Sequence, residues 1–386
     1  MRVLIVGNGM FVRGSGQDDF GTVLPALIEY SHTYNKFLEA DVVGTNSKSS
    51  SQAKQKFNLM KKISSSSLRV KFFPTNNQKE TYLSLIKKNK YDCAIVSVPD
   101  HLHFKISKAI LKKGIPTLIV KPFTTSVKEG LDLIKIAKNK KIYGAVEFHK
   151  RFDKQNILLK NYIEEGKIGH LLYSNTEYSQ RKSIPISSFK KWSNKTNIFQ
   201  YLGVHYVDLM RFITKATPKK VLATGQKKYL LSKKINTYDA MQVMIEWTKG
   251  NNSFIQYISV NWIDPENSSA MSEQKINFIG TEGRLEANQK DRGLMFFSDS
   301  EKIKSINPDF SMAFKETDRV TWRGYGIQSI NTFFSDIENL KNKKISLSKL
   351  IKKRPTYEEA LYSTSVIEAV NNSLKEGSQW KLVEFK

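Results

Sequence analysis

The stretch that decides the fold is the first ten residues, Met1-Arg-Val-Leu-Ile-Val-Gly-Asn-Gly-Met10. Its aliphatic residues run without interruption into two glycines, the pattern of a buried parallel strand that ends in a tight turn. In a doubly wound α/β fold, the pyrophosphate of a dinucleotide binds at this turn, next to the start of a helix. We therefore expect Gly7, Gly9 and Met10 to contact a dinucleotide cofactor.

The glycine pattern of this turn departs from the usual one at its third position. The common fingerprint, Gly-x-Gly-x-x-Gly, has a glycine where this chain has Val12. A polar loop with further glycines, residues 13–21, then precedes a helix expected to begin near Thr22. Such a loop can still hold a phosphate group, and a turn without a ligand is the other interpretation.

The bulk composition is that of a folded, soluble protein. The chain has 386 residues, of which 40% are hydrophobic, enough for two domains with separate cores. It contains no apolar run long enough to span a membrane, and its first residues form a strand pattern, not a signal peptide. The single cysteine, Cys93, lies in an apolar run and is expected to be an inert core residue. These features predict a cytoplasmic protein without membrane association.

The net charge of +26 is the unusual bulk property. A large positive field favours anionic partners, either nucleic acid or anionic small molecules. The lysines are spread along the whole chain and are not gathered into one arm or stripe, which argues against a specific nucleic-acid face. A phosphorylated or nucleotide-linked substrate agrees better with this charge.

Strand and helix patterns alternate through the first 150 residues. After the first strand, strand patterns occur at 40–44, 70–73, 91–99, 117–120 and 142–146. Helical patterns occur at 22–37, 53–60, 78–87, 103–112 and 127–137. This alternation predicts a doubly wound parallel sheet of the Rossmann type.

Beyond residue 171 the pattern changes to strands with alternating apolar and polar residues. These strand patterns occur at 172–178, 221–225, 240–247, 253–260, 275–279 and 284–287, with helical patterns at 198–213 and 357–374. They predict an α+β domain with a large open, mostly antiparallel sheet. We expect a dinucleotide-binding domain at 1–123 and a domain for substrate binding and oligomerisation at 124–386. The segment 124–150 and the C-terminal helix can pack back on the first domain.

The end of the second strand bears on the choice of cofactor. In NAD-binding domains an acidic residue there holds the ribose 2′-hydroxyl. This chain instead has Thr45, Asn46, Ser47 and Lys48. Hydroxyl groups with a lysine favour the 2′-phosphate of NADP. The alternative is NAD, with an acidic residue from elsewhere in the chain at the ribose.

The stretch 197–212 holds the first candidate for proton transfer. If it is helical, Tyr201, His205 and Asp208 share one face at a spacing of three and four residues. A histidine beside a hydroxyl or a carboxylate can transfer a proton near neutral pH. A structural histidine is the alternative interpretation.

Lys121 and Pro122, directly after a predicted strand, form the second candidate. Ligands of doubly wound sheets bind beyond the carboxyl ends of the strands, so Lys121 is expected to point into that crevice. The alternative is one more lysine on a basic surface. Pro99, His101 and His103 follow another strand and are candidate cofactor contacts, with capping or packing as the alternative. They have no cysteine or carboxylate set at metal-ligand spacing, so we predict no metal site.

Together these motifs resemble the glucose-fructose oxidoreductase / inositol dehydrogenase family (Gfo/Idh/MocA). The matching segments, in order, are 3–10, 98–103, 120–123, 147–153, 166–169, 203–208, 279–285 and the final helix. The resemblance covers both predicted domains. It implies an NAD(P)-dependent oxidoreductase that transfers a hydride between nicotinamide and a hydroxyl or keto carbon of a sugar or nucleotide-linked sugar. It also implies a homodimer or homotetramer, and an open sheet with one uncovered face favours association as well.

The resemblance implies roles for individual residues. The family's Glu-Lys-Pro motif falls on residues 120–122, so Lys121 would contact the nicotinamide ribose and the substrate. The family's Asp-x-Gly-x-His segment falls on residues 201–205, so His205 would exchange the proton of the substrate hydroxyl. Arg181 precedes this histidine and is a further expected substrate contact.

Two positions depart from the family motifs. Val120 stands where the motif has glutamate, and Tyr201 stands where the family has aspartate. The hydroxyl of Tyr201 could itself carry a proton beside Lys121, and Trp192 is a further expected substrate contact. The departures leave open a different kind of protein, one that binds a dinucleotide without turnover and acts in sensing or as a scaffold.

Overall fold

The structure, a computed structural model, describes residues 1–16, 19–34, 38–76 and 81–385. The chain divides into two compact units. Unit 1 comprises residues 1–124, 129–152 and 309–360; unit 2 comprises residues 125–128, 153–308 and the segment from Leu361 to the C-terminus. Because both units are discontinuous in sequence, the boundary after residue 123 stays a prediction. In the described part of the chain, no helix is long and apolar enough to cross a membrane.

Unit 1 is built on a six-stranded sheet. Its strands are β1 (Arg2–Val6), β2 (Glu39–Val43), β3 (Arg69–Phe73), β4 (Cys93–Val96), β5 (Thr117–Val120) and β6 (Gly144–Glu147). They lie in the order β3-β2-β1-β4-β5-β6, and every neighbouring pair is parallel. This is the strand order of the Rossmann fold, so the predicted doubly wound sheet is confirmed.

The helices in this part of the chain differ from the predictions at two places. They are α1 (Met10–Arg13), α2 (Val23–Tyr34), α3 (Ser47–Ile63), α4 (Thr81–Lys88), α5 (His103–Lys112) and α6 (Val127–Lys140). A short helix, α1, begins where only a glycine loop was expected, and α3 begins well before the predicted 53–60. Residues 35–37 of one predicted helix and 78–80 of another lie outside the described residues.

The next part of the chain belongs to unit 2. Its strands are β7 (Leu171–Arg181), β8 (Thr217–Gln226), β9 (Ala240–Lys249), β10 (Asn252–Asp264), β11 (Gln274–Gly280), β12 (Arg284–Asn288), β13 (Leu294–Phe296) and β14 (Lys304–Ile306). Its helices are α7 (Lys154–Glu164), α8 (Val204–Thr214) and α9 (Tyr229–Ser232). The sequence patterns did not predict α7 or the hairpin of β13 and β14.

The last part of the chain begins in unit 1 and ends in unit 2. Its elements are β15 (Met312–Lys315), β16 (Val320–Arg323), α10 (Tyr325–Lys341), α11 (Leu347–Lys353), α12 (Tyr357–Lys375) and β17 (Lys381–Leu382). Helix α10 packs Phe333 against Tyr143 and Phe334 against Tyr30, with ring centroids 5.6 and 5.3 Å apart. These contacts make residues 309–360 part of the core of unit 1.

The sheet of unit 2 has one covered and one open face. Its order is β12-β11-β7-β10-β9-β8-β17, in which β7 and β10 are parallel and the other neighbours are antiparallel. This confirms the α+β prediction. Trp247, Trp262 and Phe278 are buried on one face, whereas Tyr173 and Tyr257 are exposed on the other. The open face therefore combines apolar and polar side chains.

Candidate active site

The turn after β1 is shaped by the close approach of two strand ends. Gly7 has a φ of 114°, and a Cβ at this position would lie 1.8 Å from the carbonyl oxygen of Ser97, just after β4. The protein itself therefore excludes a side chain at residue 7. At Gly9, by contrast, a Cβ would meet no atom within 4 Å, so a ligand has room to approach the backbone. The predicted contacts Gly7, Gly9 and Met10 thus form a turn that fits a dinucleotide pyrophosphate.

The predicted cofactor residues after β2 come together at the start of α3. Asn46 caps this helix, because its side-chain oxygen accepts a hydrogen bond from the amide of Ser49 at 2.9 Å. Thr45 and Lys48 are exposed and Ser47 is half-buried. One helical turn therefore presents hydroxyl groups and an ammonium group, while the side chain of Asn46 serves the helix cap.

Side chains connect this helical turn to the glycine turn. Asn8 donates from Nδ2 to the hydroxyl of Ser49 at 3.3 Å. Arg13 donates from Nε to the carbonyl oxygen of Asn8 at 2.9 Å and from Nη2 to Gln52 at 3.5 Å. A second positive group therefore lies beside the start of α3. Sequence patterns did not single out Arg13, because only the fold brings α1 next to α3.

Lys121 follows β5, and its peptide bond to Pro122 is cis. The side chain is half-buried. Burial lowers the pKa of Lys121 to about 7, and the negative charges of Glu147 and Asp100 act in the opposite direction. Near neutral pH, both the ammonium and the amine are therefore populated. A group with these two forms can donate or accept a proton in catalysis.

His103 is buried and connects the residues after β4 with those after β5. Its Nδ1 lies 2.6 Å from the carbonyl oxygen of Pro122, and its Nε2 lies 2.9 Å from that of Val98. Burial lowers the pKa of His103, against the charge of Asp100. Both ring nitrogens thus face backbone carbonyls, and a role of His103 at the cofactor stays a prediction.

The other two predicted contacts after β4 are less enclosed. Pro99 and His101 are half-buried. Asp100 is buried between them, and its carboxylate accepts a hydrogen bond from the amide of His101 at 2.9 Å. The structure therefore keeps Pro99 and His101 beside the same strand end as the glycine turn, since β4 is the neighbour of β1.

A buried polar cluster lies at the end of β6. The carboxylate of Glu147, only 2% exposed, accepts a hydrogen bond from the hydroxyl of Ser329 at 2.7 Å and lies 2.9 Å from Nδ1 of His149. The rings of Phe310 and Tyr325 pack against His149 with centroids 5.0 and 5.8 Å away. The sequence patterns gave these residues no chemical role.

In unit 2, His205 lies near the start of α8. It is buried, and the ring of Tyr178 on β7 lies 6.1 Å from its ring. Asp208 is buried on the same helix. The residues before α8, Phe199–Gly203, form a π-helical turn. Tyr201 lies on this π turn and His205 on the first turn of α8, and the face they are expected to share stays a prediction.

Tyr201 belongs to an aromatic cluster that includes Trp192. Phe189 lies 4.4 Å from Trp192 and 4.8 Å from Tyr201, measured between ring centroids. Trp262 of β10 lies 5.9 Å from Tyr201. Trp192 and Tyr201 are half-buried, so the structure brings two predicted site residues together and leaves part of their rings accessible.

Arg181 ends β7 and is held by a neighbouring loop. Its Nη2 and Nε donate to the carbonyl oxygen and hydroxyl of Ser268 at 2.5 and 3.3 Å. The ammonium of Lys182 lies 4.9 Å from the ring centroid of Tyr229. Part of the donor capacity of Arg181 therefore serves the fold, and its role as a substrate contact stays a prediction.

A buried hydrogen-bond network fixes the helix that carries the candidate histidine. Tyr206 donates from its hydroxyl to Gln289 at 3.1 Å, and Gln256 donates to the carbonyl oxygen of Tyr206 at 3.0 Å. Gln289 in turn donates to Asp153 at 2.7 Å, and Arg292 pairs with the same carboxylate at 2.6 Å. Because every partner is buried, the network holds α8 in one position.

A six-stranded parallel sheet with an open glycine turn after β1 is the architecture of a dinucleotide-binding domain. The sequence comparisons give the family. A model described as "Oxidoreductase family, NAD-binding Rossmann fold" matches residues 1–148, and one described as "GFO/IDH/MocA C-terminal domain" matches residues 157–286. The chain belongs to the Gfo/Idh/MocA family.

Individual relatives are similar over part of their length. The chain is 30% identical to the uncharacterized oxidoreductase YhhX of Escherichia coli over 31% of this chain and 35% of that protein. It is 21% identical to inositol 2-dehydrogenase of Rhizobium meliloti over 52% of this chain and 58% of that protein. These matches thus span about a third to three fifths of the curated relatives.

Solved structures agree over the whole chain. An inositol dehydrogenase homolog from Azotobacter vinelandii, complexed with NADH and myo-inositol, has a TM-score of 0.71 at 15% identity. The likeness covers 99% of this chain and 97% of that one. At this identity, the comparison shows a common fold.

Proposed function

We propose that the protein is an NAD(P)-dependent oxidoreductase acting on a hydroxyl or keto carbon of a sugar or nucleotide-linked sugar. The observation that carries the proposal is Lys121, which follows a strand of a Rossmann sheet and has a pKa lowered to about 7. A lysine with an ordinary pKa would be charged throughout the neutral range and could not accept a proton there. The family assignment supports the same class of reaction.

The residues of this chain would supply binding and proton transfer. When bound, the nicotinamide supplies the hydride chemistry. His205 would take the proton of the substrate hydroxyl during oxidation and return it during reduction. Lys121, through its amine, and Tyr201, through its hydroxyl, would carry the proton together with His205. The buried position of His205 on a fixed helix supports this role.

The cofactor we favour is NADP, with NAD as the alternative. No Asp or Glu occurs from residue 42 to residue 79, so the residues after β2 offer no carboxylate to a ribose 2′-hydroxyl. Ser47, Lys48 and Arg13 would instead surround a 2′-phosphate. The Azotobacter vinelandii homolog contains NADH, which is why NAD remains the alternative.

The substrate we favour is an anionic sugar, such as a nucleotide-linked one. Between residues 178 and 207 the chain has no acidic residue and several basic ones. Of these, Lys190, Lys191 and Lys195 are exposed, close in sequence to the half-buried rings of Trp192 and Tyr201. Ammonium groups attract phosphate, and a flat aromatic ring can pack against a sugar or a base.

Turnover assays test this proposal. The purified chain would be mixed with each oxidised and reduced nicotinamide cofactor and with a panel of neutral sugars, inositols and nucleotide-linked sugars. We expect a change in nicotinamide absorbance with at least one polyol or keto sugar, and faster turnover with the anionic ones. Absence of turnover across the panel, with cofactor bound, would favour the second candidate function below.

The second candidate is a dinucleotide-binding protein with a sensing or scaffolding role. The observation that favours it is the loss of a carboxylate at two motif positions, now Val120 and Tyr201. Such a protein would bind the cofactor and leave it unchanged in the presence of every sugar.

We also propose that the protein works as a cytoplasmic homodimer or homotetramer. The open face of the unit 2 sheet exposes Tyr173 and Tyr257, and apolar surface of this kind supports association. The free, buried thiol of Cys93 agrees with a reducing compartment. Analytical ultracentrifugation would measure the stoichiometry.

A further inference from the structure

Val120 and Glu147 are direct cross-strand partners at the carboxyl ends of β5 and β6. The position of Val120 is the one where the family motif has glutamate. Here Val120 belongs to the hydrophobic core of unit 1, together with Ile330 and Phe333 of α10. The chain thus has an apolar side chain at the motif position and a carboxylate on the adjacent strand.

The carboxylate of Glu147 is buried and has polar partners in unit 1. Those partners are the hydroxyl of Ser329 and the ring of His149. A neutral hydroxyl satisfies a lone pair without cancelling the negative charge. In surroundings of low polarity, that charge acts over a longer distance than it would in water. Glu147 is accordingly the larger of the two negative influences on Lys121, before Asp100.

We infer that Glu147 replaces the missing motif glutamate: from β6, it stabilises the charged form of Lys121 that a carboxylate at position 120 would stabilise from β5. Glu147 is then a positioning residue, which acts on turnover only through Lys121. This part of the inference rests on the proposed function. In this chain the carboxylate thus lies at the end of β6 and not at the end of β5.

Other titratable groups in unit 1 bear on Lys121. Asp100 adds a second negative charge. His103 lies against Pro122 with its ring between two carbonyl oxygens, and His101 is adjacent to Asp100. His149 contacts the carboxylate of Glu147 through Nδ1.

The test measures the protonation of Lys121 without cofactor or substrate. Trinitrobenzenesulfonate reacts with the unprotonated amine, and peptide mass mapping gives the labelling of Lys121 at each pH. In the full chain with Glu147→Gln, we expect half-maximal labelling to move to lower pH by about one unit. In the double variant Val120→Glu/Glu147→Gln, which returns the carboxylate to the motif position, we expect it to move back.

A matched control is Glu39→Gln, the same chemical change in the same sheet but at the amino-terminal end of β2. It should leave the labelling of Lys121 unchanged. If Glu147→Gln fails to fold, Val120→Glu alone should raise the pH of half-maximal labelling by about one unit. An unchanged labelling profile in folded Glu147→Gln would overturn the inference. So would a double variant that labels like the single one.

The outcome is independent of the proposed function, because labelling needs no turnover. If no sugar is turned over but the labelling shifts as expected, the link between Glu147 and Lys121 stands and the proposed function fails. Where turnover is found, the pH profile of kcat in Glu147→Gln should shift in the same direction as the labelling. A lower kcat at every pH, with no such shift, would indicate a purely structural role.

Discussion

Nδ1 of His103 lies 2.6 Å from the carbonyl oxygen of Pro122, the residue that follows Lys121. The other ring nitrogen lies 2.9 Å from the carbonyl oxygen of Val98. One buried ring therefore connects the ends of two adjacent parallel strands, β4 and β5. The ring thus lies against the residue that follows the candidate catalytic lysine.

Replacing this ring should destabilise unit 1. His103→Ala removes a buried side chain and the hydrogen bond that its single N–H donates to one of the two carbonyls, and we expect the free energy of unfolding to fall by about 2–4 kcal/mol. Denaturant titration measures the loss. His101→Ala is the matched control, since that ring is half-buried, and it should cost much less. Equal losses of unfolding free energy for the two variants would contradict a specific stabilising role for the ring of His103.

The depressed pKa of Lys121 should make stability depend on pH. Folding lowers the pKa from its ordinary value of 10.5 to about 7, so between these values the unfolded chain binds more protons than the folded one. Stability therefore falls as the pH falls from 10.5 towards 7, and levels off below. Lys121→Met has no amine that must lose a proton on folding. Its free energy of unfolding should therefore exceed that of wild type by about 1 kcal/mol or more at pH 7 and should equal it near pH 10.5. Urea titrations at several pH values measure the difference, and a gain that is independent of pH would contradict an amine whose pKa is lowered in the folded chain.

The same lysine should set the pH dependence of turnover. Below pH 7 its side chain is mostly ammonium, so oxidation of an alcohol, which needs a proton acceptor, should slow with falling pH. Lys121→Arg keeps a positive charge at every pH and should lower kcat by about 10²-fold or more. It should also remove the fall of kcat below pH 7. If kcat of Lys121→Arg still falls below pH 7, the group that titrates there is not Lys121.

His205 should affect chemistry much more than cofactor binding. His205→Asn lacks the imidazole that takes the substrate proton, and kcat should fall by about 10²–10⁴-fold. The affinity for the cofactor should stay within about twofold of wild type, since a change below 0.5 kcal/mol is expected away from the binding residues. Asp208→Asn serves as the comparison on the same helix. A larger loss from Asp208→Asn than from His205→Asn would make the carboxylate the principal group.

Cofactor choice should depend on the residues at the start of α3. Lys48→Asp puts a carboxylate where a 2′-phosphate is proposed to lie, and it should weaken NADPH binding by about tenfold, or 1.4 kcal/mol, while sparing NADH. Arg13→Ala should act in the same direction, and Lys54→Ala, an exposed lysine further along α3, should not. Equal losses for both cofactors in Lys48→Asp would contradict a phosphate site.

The sequence predicted the two architectures because burial leaves a clear pattern in each. Strands β1 and β4 are buried on both faces and therefore appear as continuous aliphatic runs, whereas β9 and β10 have one covered face and alternate. Sequence patterns did not assign residues 309–360 to unit 1. What assigns α10 to unit 1 is its contact with Tyr30 and Tyr143, which lie far away in sequence.

The candidate site could be predicted in part. Lys121 follows a predicted strand, so the topology rule alone points to it. The pairing of Val120 with Glu147 depends on strand register, and the contact of Arg13 with α3 depends on a helix too short to show periodicity. The π turn before His205 likewise has no sequence period of its own. These features arise from packing between segments, which local patterns do not encode.

The most direct test of the account is a titration of the purified chain with NADPH and, separately, with NADH, followed by nicotinamide fluorescence. We predict saturable binding of both reduced cofactors, with NADPH the tighter. Binding of NADH alone would remove the phosphate site and leave an NAD-dependent enzyme. Binding of neither would contradict the central claim, that this Rossmann unit holds a nicotinamide cofactor for an oxidoreductase.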